Sequence, residues 1–226
     1  MKHSNRALLI PVILFALLMQ GCSGHAALND PVKRSGFYFD TLVTITVYGN
    51  EAESYADDCL SMCSYYEGLL SMTVDGSDIS RINNAGTEAV TVSGETIELL
   101  EYAMDCYDST QGALDISVAP ASRLWTDARK SNELPSDDSL SDAVSHIGLD
   151  KLHVDTESLS VSKDDPSLSI DAGALGKGFV ADKIKDMLIS KGVKSAVISL
   201  GGNILTIGSK PDGNPFKIGI KEPFSD

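Results

Sequence analysis

Phe37–Leu70 reads FYFDTLVTITVYGNEAESYADDCLSMCSYYEGLL, and its hydrophobic period changes in the middle. From Phe37 to Asn50 the residues alternate: Leu42, Val43, Ile45, Val47 and Tyr48 are interleaved with Thr41, Thr44 and Thr46, and the run closes on Gly49-Asn50. β-Branched side chains crowd a helix and suit a pleated surface, so this is a strand. From Glu51 the spacing turns helical, with Ala52, Tyr55, Ala56, Cys59, Met62, Cys63, Tyr66, Leu69 and Leu70 on one face. That spacing predicts a helix of about 19 residues with a core-facing stripe. A strand handing over to an amphipathic helix sets the fold class as α+β, with mixed or antiparallel sheets and packed amphipathic helices.

Reading outward, Thr96, Ile97, Leu100, Ala103, Met104 and Tyr107 form a second helix that begins near Ser93 and runs out at Gln111-Gly112. Ser136, followed by Asp137 and Asp138, caps a shorter helix, because a hydroxyl and early acids satisfy its free amides and dipole. Three short strands are expected between Leu152 and Asp171: KLHVD, SLSVS and LSID. A helix from Lys177 to Ser190 stops at Lys191-Gly192, and SAVISLGG, NILTIG and PFKIGIK return as strands. Ser71–Asn83, SMTVDGSDISRIN, reads as a polar loop ending in a cap. No internal repeat or low-complexity tract interrupts this order.

The 226 residues carry 18 Lys+Arg against 32 Asp+Glu, a net charge of −14, with 42% hydrophobic residues. That is globular composition, too apolar for disorder. Nucleic acid is excluded as a partner, because polyphosphate binding needs a dense basic surface. Any phosphate must therefore be met locally, by backbone amides, a few lysines or a metal. Aromatics at 6%, with one Trp, leave little for base-stacking platforms.

Lys2 and Arg6 precede an apolar run, Ala7–Met19, too short to span a membrane, so residues 1–21 read as a signal peptide. Gln20-Gly21-Cys22 is similar to a bacterial lipobox, which makes Cys22 the lipidation site and mature N-terminus; the alternatives are a cleaved signal or an uncleaved anchor. Residues 22–36, including HAALNDPVKR at 25–34, then form a tether, and 37–226 the folded body. Cys59, Cys63 and Cys106 are odd in number and lack CxxC spacing, so they read as small buried hydrophobes.

Three segments combine glycine with polar residues at element boundaries. SIDAGALGKG (Ser169–Gly178) reads as a strand-to-helix turn that either cradles a phosphate, with Lys177 adding charge, or is a tight structural turn. In GALDISVAP (Gly112–Pro120), Asp115 is a carboxylate in an apolar run, which requires a partner, a metal or a capping role. SLGGN (Ser199–Asn203) is a bulge or a close backbone approach.

In this order, FDTLVTITVYG, SDISRIN, GALDISVAP with Leu124-Trp125, IDAGALGKGFVADKI and ISLGGNILTIGSKPDGNPFKIGIKEP resemble the ApbE family, the Mg-dependent FAD:protein FMN transferases, from Phe37 to Pro223. The resemblance implies an enzyme outside the cytoplasmic membrane, lipid-anchored, that moves FMN from FAD to a Thr or Ser hydroxyl of an acceptor protein and releases AMP. By motif it implies FAD contacts at Phe39, Thr73, Ala113, Leu114, Asp115, Asp171 and Lys177, and a backbone carbonyl of Ala174 on Mg2+; it assigns no general base. Phe39 departs from the usual Met, and Thr73 from a frequent aromatic. Family members continue into a His-containing segment and then an Asp-rich stretch ending in Thr that supplies the remaining side-chain Mg2+ ligands, whereas this sequence stops at Asp226. The resemblance is thus to the N-terminal portion of such an enzyme, with doubtful activity of its own. A surface lipoprotein that binds flavin without catalysis, or an inactive fragment, is the alternative.

Overall fold

The computed structural model describes residues 30–220, 222 and 223, so the signal peptide, Cys22 and most of the tether lie outside the described residues. In chain order the elements are β1 (Val32–Tyr38), β2 (Thr41–Val47), α1 (Ala52–Leu70), α2 (Asp78–Asn84), β3 (Val90–Thr91), α3 (Gly94–Ser109), α4 (Ala119–Ser131), α5 (Asp137–Ser145), β4 (Leu152–Asp155), β5 (Ser160–Lys163), α6 (Gly173–Ser190), β6 (Ser195–Leu200) and β7 (Asn203–Gly208). The fold is α+β, and both sheets are antiparallel, ordered β1-β2-β6-β7 and β3-β5-β4.

The larger sheet meets α1 and α6. Val43, Ile45 and Val47 of β2 and Ala196, Ile198 and Leu200 of β6 point into one core with Ala56, Cys59, Cys63, Val180, Ile184 and Leu188. A second core joins Ile79 and Ile82 of α2, Ile97 and Leu100 of α3, and Leu152 and Val161 of the small sheet, with Leu168 and Ile170. Leu175 packs against both, which couples them at the start of α6. Burying each such aliphatic side chain contributes roughly 1.5–3 kcal/mol.

Several elements differ from the sequence expectations. The strand expected from Phe37 is a hairpin, because Phe39 and Asp40 take φ of 54° and 56° and form a two-residue turn. Left-handed pairs match the twist of a hairpin but are normally glycine or asparagine, so the turn carries no obvious signal. The ladder begins at Val32, opposite Val47, inside the stretch read as tether. SLGGN is also a hairpin turn, with φ of 60° and 92° at Gly201 and Gly202. A Cβ on Gly201 would lie 2.6 Å from the Thr41 side chain, so the expected close approach is there too. Helix α6 starts at Gly173 rather than Lys177, helix α2 replaces the end of the polar loop, and α4 had no counterpart. LSID contributes a single parallel bridge, Ser169 to Val118, and Pro215–Ile220 join no ladder.

Cys59 and Cys63 are fully buried and unbonded, and Cys106 is half-buried. Burial pushes the Cys59 and Cys63 thiols up to about 12. A thiol that stays protonated is a poor nucleophile. A disulfide reagent at neutral pH is therefore expected to modify Cys106 in the folded protein while Cys59 and Cys63 react only after denaturation, as peptide mass mapping would read out. Rapid labelling of Cys59 in the folded state would show the α1 face to be accessible.

Candidate functional site

One cleft gathers residues from three distant stretches. The Phe39-Asp40 turn, Leu70 at the end of α1 with Ser71, Met72 and Thr73 after it, and Asp171, Ala172 and Gly173 with Gly176 and Lys177 enclose about 170 Å³. Phe39, Thr73, Asp171 and Lys177, singled out by sequence, all line it. Ala113, Leu114 and Asp115 are not among the lining residues.

Each wall has a local cause. The left-handed Phe39 is held by its N–H donating to Glu67 Oε1 of α1 at 2.6 Å, which offsets the cost of that conformation, on the order of 1–2 kcal/mol. Thr73 is placed by its N–H donating to Ser71 Oγ (3.2 Å), while Ser77 Oγ donates to the Ser71 carbonyl (2.5 Å) and Ser77 Oγ accepts from Ser80 N–H (3.0 Å). Ser77 thus caps α2 and folds the wall back on itself.

Asp171 lies just before α6, its Oδ1 accepting from Gly173 N–H at 2.8 Å. The amides of Leu175 and Gly176 donate to the Ala172 carbonyl, at 3.0 and 2.7 Å. The helix start already carries a carboxylate and internal hydrogen bonds, and the cleft's cation comes from Lys177, one turn on, whose Nζ donates to the Gly173 carbonyl (3.2 Å). Tertiary packing overrides the poor helix propensity of the three glycines.

The residues that hold this geometry were not singled out by sequence. Lys163 is 2% exposed, and its ammonium donates to the carbonyls of Asn83 (3.0 Å), Pro166 (3.2 Å) and Leu168 (2.7 Å). Asn83 pairs both ways with the Ile170 backbone, donating from Nδ2 to its carbonyl (2.9 Å) and accepting its N–H on Oδ1 (2.7 Å). Together they pin Pro166–Ile170 and deliver Asp171 to the cleft, where its N–H donates to the Ile116 carbonyl at 2.7 Å. A strand period running from Val161 to Lys163 was the available signal, since it puts both on the buried face.

Asp115 has a structural partner: its Oδ1 accepts from Ser117 N–H (2.7 Å) and from Ser117 Oγ (2.6 Å), and Ser117 Oγ in turn accepts from Gly148 N–H (2.8 Å). Leu114 packs against the second core. Ala174 lies on a separate groove beside Glu98, Glu101, Asp105, Asp182 and Asp186. Among the described residues, no group of three His, Cys, Asp or Glu could hold a metal ion. Mg2+ prefers near-octahedral oxygen ligands, so a lone Ala174 carbonyl does not make its site.

The ApbE family model matches residues 39–226. The chain belongs to the ApbE family. A Klebsiella pneumoniae FAD:protein FMN transferase is 28% identical over 88% of this chain and 61% of its own length. A Vibrio cholerae protein of the same name is 32% identical over 66% of this chain and 45% of its own. The chain thus spans about half of these ApbE relatives' length. Among solved structures, a mutant of the Vibrio cholerae flavin transferase ApbE superposes with a TM-score of 0.79 at 25% identity, covering 87% of this chain and 69% of that one. The Thermotoga maritima ApbE protein gives 0.79 at 26% identity, covering 87% and 65%. The ApbE fold therefore extends over both cores and the cleft between them.

Proposed function

We propose that this chain takes part in the transfer of FMN from FAD to a Thr or Ser hydroxyl of an acceptor protein, with AMP leaving. The observation that carries the reading is the convergence of Phe39, Thr73, Asp171 and Lys177 on one cleft in a chain whose relatives are named FAD:protein FMN transferases. In the step, the hydroxyl oxygen forms a bond to the FMN phosphorus as the bond to the bridging oxygen of AMP breaks. The hydroxyl proton goes to solvent or to a base outside the described set. Such transfers depend on positioning and on neutralising developing charge. Lys177 supplies a positive charge at the cleft, Phe39 an apolar wall, and Asp171 fixes the helix that carries Lys177. The cleft is smaller than the roughly 300–1,000 Å³ of whole small-molecule sites, so it houses one portion of the dinucleotide.

Lys177→Ala is expected to weaken FAD binding by about 1.5–3 kcal/mol, the range of a charge-assisted hydrogen bond. Titration with unchanged affinity in that variant would make the lysine a bystander. Activity itself is read by in-gel fluorescence of an acceptor protein after incubation with FAD, with AMP released in step. The acceptor's Thr or Ser enters the proposal from the family resemblance, as does Mg2+, for which the described residues supply no ligand set. The same resemblance proposes a lipid anchor at Cys22 on the outer face of a bacterial membrane. Cys22→Ser is then expected to shift the protein from the membrane fraction or leave it unprocessed, and a soluble wild-type protein would contradict it.

A further inference from the structure

The Phe39-Asp40 turn is the wall of the flavin cleft with the least support of its own. Both residues take left-handed backbone angles, φ of 54° and 56°, and neither is glycine or asparagine. The β1–β2 ladder ends at the Tyr38–Thr41 pair, so the Phe39 amide lies beyond the last pair and has no strand to receive it. A backbone donor in a half-buried residue requires an acceptor, and the hairpin does not provide one.

Glu67 supplies that acceptor from outside the hairpin. It stands in the last turn of α1, and its Oε1 accepts the Phe39 N–H at 2.6 Å. A hydrogen bond to a carboxylate is charge-assisted, roughly twice as strong as a neutral one. Among the described residues no lysine, arginine or histidine forms an ion pair with Glu67, so the Phe39 amide is the donor its carboxylate serves. The backbone of the same residue holds the next wall, its carbonyl accepting the Ser71 N–H at 3.1 Å as α1 ends. Its neighbour Tyr66 meets Phe179 of α6 edge to face, with ring centres 6.0 Å apart, which braces the end of α1 against the helix that carries Lys177. Glu67 therefore stands on a fixed base where the three walls meet, yet it does not line the cleft itself.

We infer that Glu67 is a positioning residue for the flavin ligand: its carboxylate holds the left-handed turn so that the Phe39 ring is already in place as a wall when FAD arrives. The assignment rests on the flavin reading and adds to it a residue that acts through Phe39 rather than on the ligand. Ordering a loop at the moment of binding costs affinity, and a turn set in advance avoids that cost. Two properties of the side chain are separable. Glutamine keeps the length and offers a carbonyl oxygen to the same amide, whereas aspartate keeps the charge but is one methylene too short to reach it.

The test is titration of the purified protein with FAD, followed by flavin fluorescence. Glu67→Ala and Glu67→Asp are each expected to weaken binding about tenfold, while Glu67→Gln stays within about threefold of wild type. Adding Glu67→Ala to Phe39→Ala is expected to weaken binding by less than about twofold beyond Phe39→Ala alone, because residues that act through one another are non-additive. Hydrogen exchange reads the same bond without ligand: peptides covering residues 39–40 are expected to exchange faster in Glu67→Ala than in wild type, with β6 unchanged, which also shows that the variant is folded. FAD binding that Glu67→Ala leaves unchanged would overturn the assignment and leave the flavin reading standing. So would unchanged exchange at residues 39–40, a Glu67→Gln as weak as Glu67→Ala, or a full further loss in the double variant. A wild type that binds no FAD would overturn the flavin reading and the assignment with it.

Discussion

Replacing Lys163 by methionine is expected to cost on the order of 3–5 kcal/mol of unfolding free energy, because three backbone carbonyls lose their donor in a site that water does not reach. Methionine keeps the stem and most of the volume, so the loss reports the ammonium rather than a cavity. Burial pushes this amine below its ordinary value of 10.5, yet no carboxylate hydrogen-bonds it, and the carbonyls of Asn83, Pro166 and Leu168 carry the solvation instead. Swapping a complete buried ion pair for apolar residues is often harmless, but here the acceptors remain behind. Urea denaturation followed by far-ultraviolet circular dichroism measures the change. A loss under about 1 kcal/mol would mean that the carbonyls find other donors on relaxation.

Asp78→Ala is the second large effect, expected at about 2–4 kcal/mol. The Asp78 side chain is 5% exposed as a residue, and its Oδ2 accepts from Ser93 N–H (2.8 Å) and Thr96 Oγ1 (2.7 Å) while Oδ1 pairs with Arg81. It ties the start of α2 to the start of α3, and α2 is capped by the Ser77 that also folds the Thr73 wall of the cleft. Burial alone would raise its carboxyl pKa, but the Ser93, Thr96 and Arg81 hydrogen bonds outweigh burial and hold it below the ordinary 3.8. A carboxyl whose folded value is depressed stabilises above the unfolded value and loses that contribution as pH falls through the folded one. Acid unfolding of the wild type is therefore expected to steepen below about pH 4, and Asp78→Asn to lose that limb; identical acid profiles would contradict the ion-pair account.

What was legible in the sequence is what repeats along an element. The helix Ala52–Leu70 and the capped starts at Ser93 and Ser136 follow from period and from side-chain hydroxyls that accept Thr96 and Ser139 amides. What was hidden depends on partners distant in the chain. The Phe39-Asp40 turn uses two residues that ordinarily avoid left-handed conformations, and only Glu67 of α1 explains why it persists. Helix α4 buries only Ala119, so it has no apolar stripe to read. Three glycines suggested a loop where packing of Leu175, Phe179 and Val180 keeps a helix. At the site, motif positions identified the cleft's lining at Phe39, Thr73, Asp171 and Lys177, while Asp115 belongs to a turn that Ser117 closes. Lys163, Asn83 and Asp78 act through long-range hydrogen bonds for which spacing supplies no template.

The central claim is that the cleft between the Phe39-Asp40 turn, Ser71–Thr73 and the start of α6 is where FAD binds. Hydrogen–deuterium exchange with and without saturating FAD tests it most directly, because amide protection reports location independently of turnover. The account predicts slower exchange in peptides covering Phe39–Asp40, Ser71–Thr73 and Asp171–Lys177, with Gly192–Lys194 unchanged. Protection confined to peptides outside these three segments, or absent while FAD demonstrably binds, would contradict it.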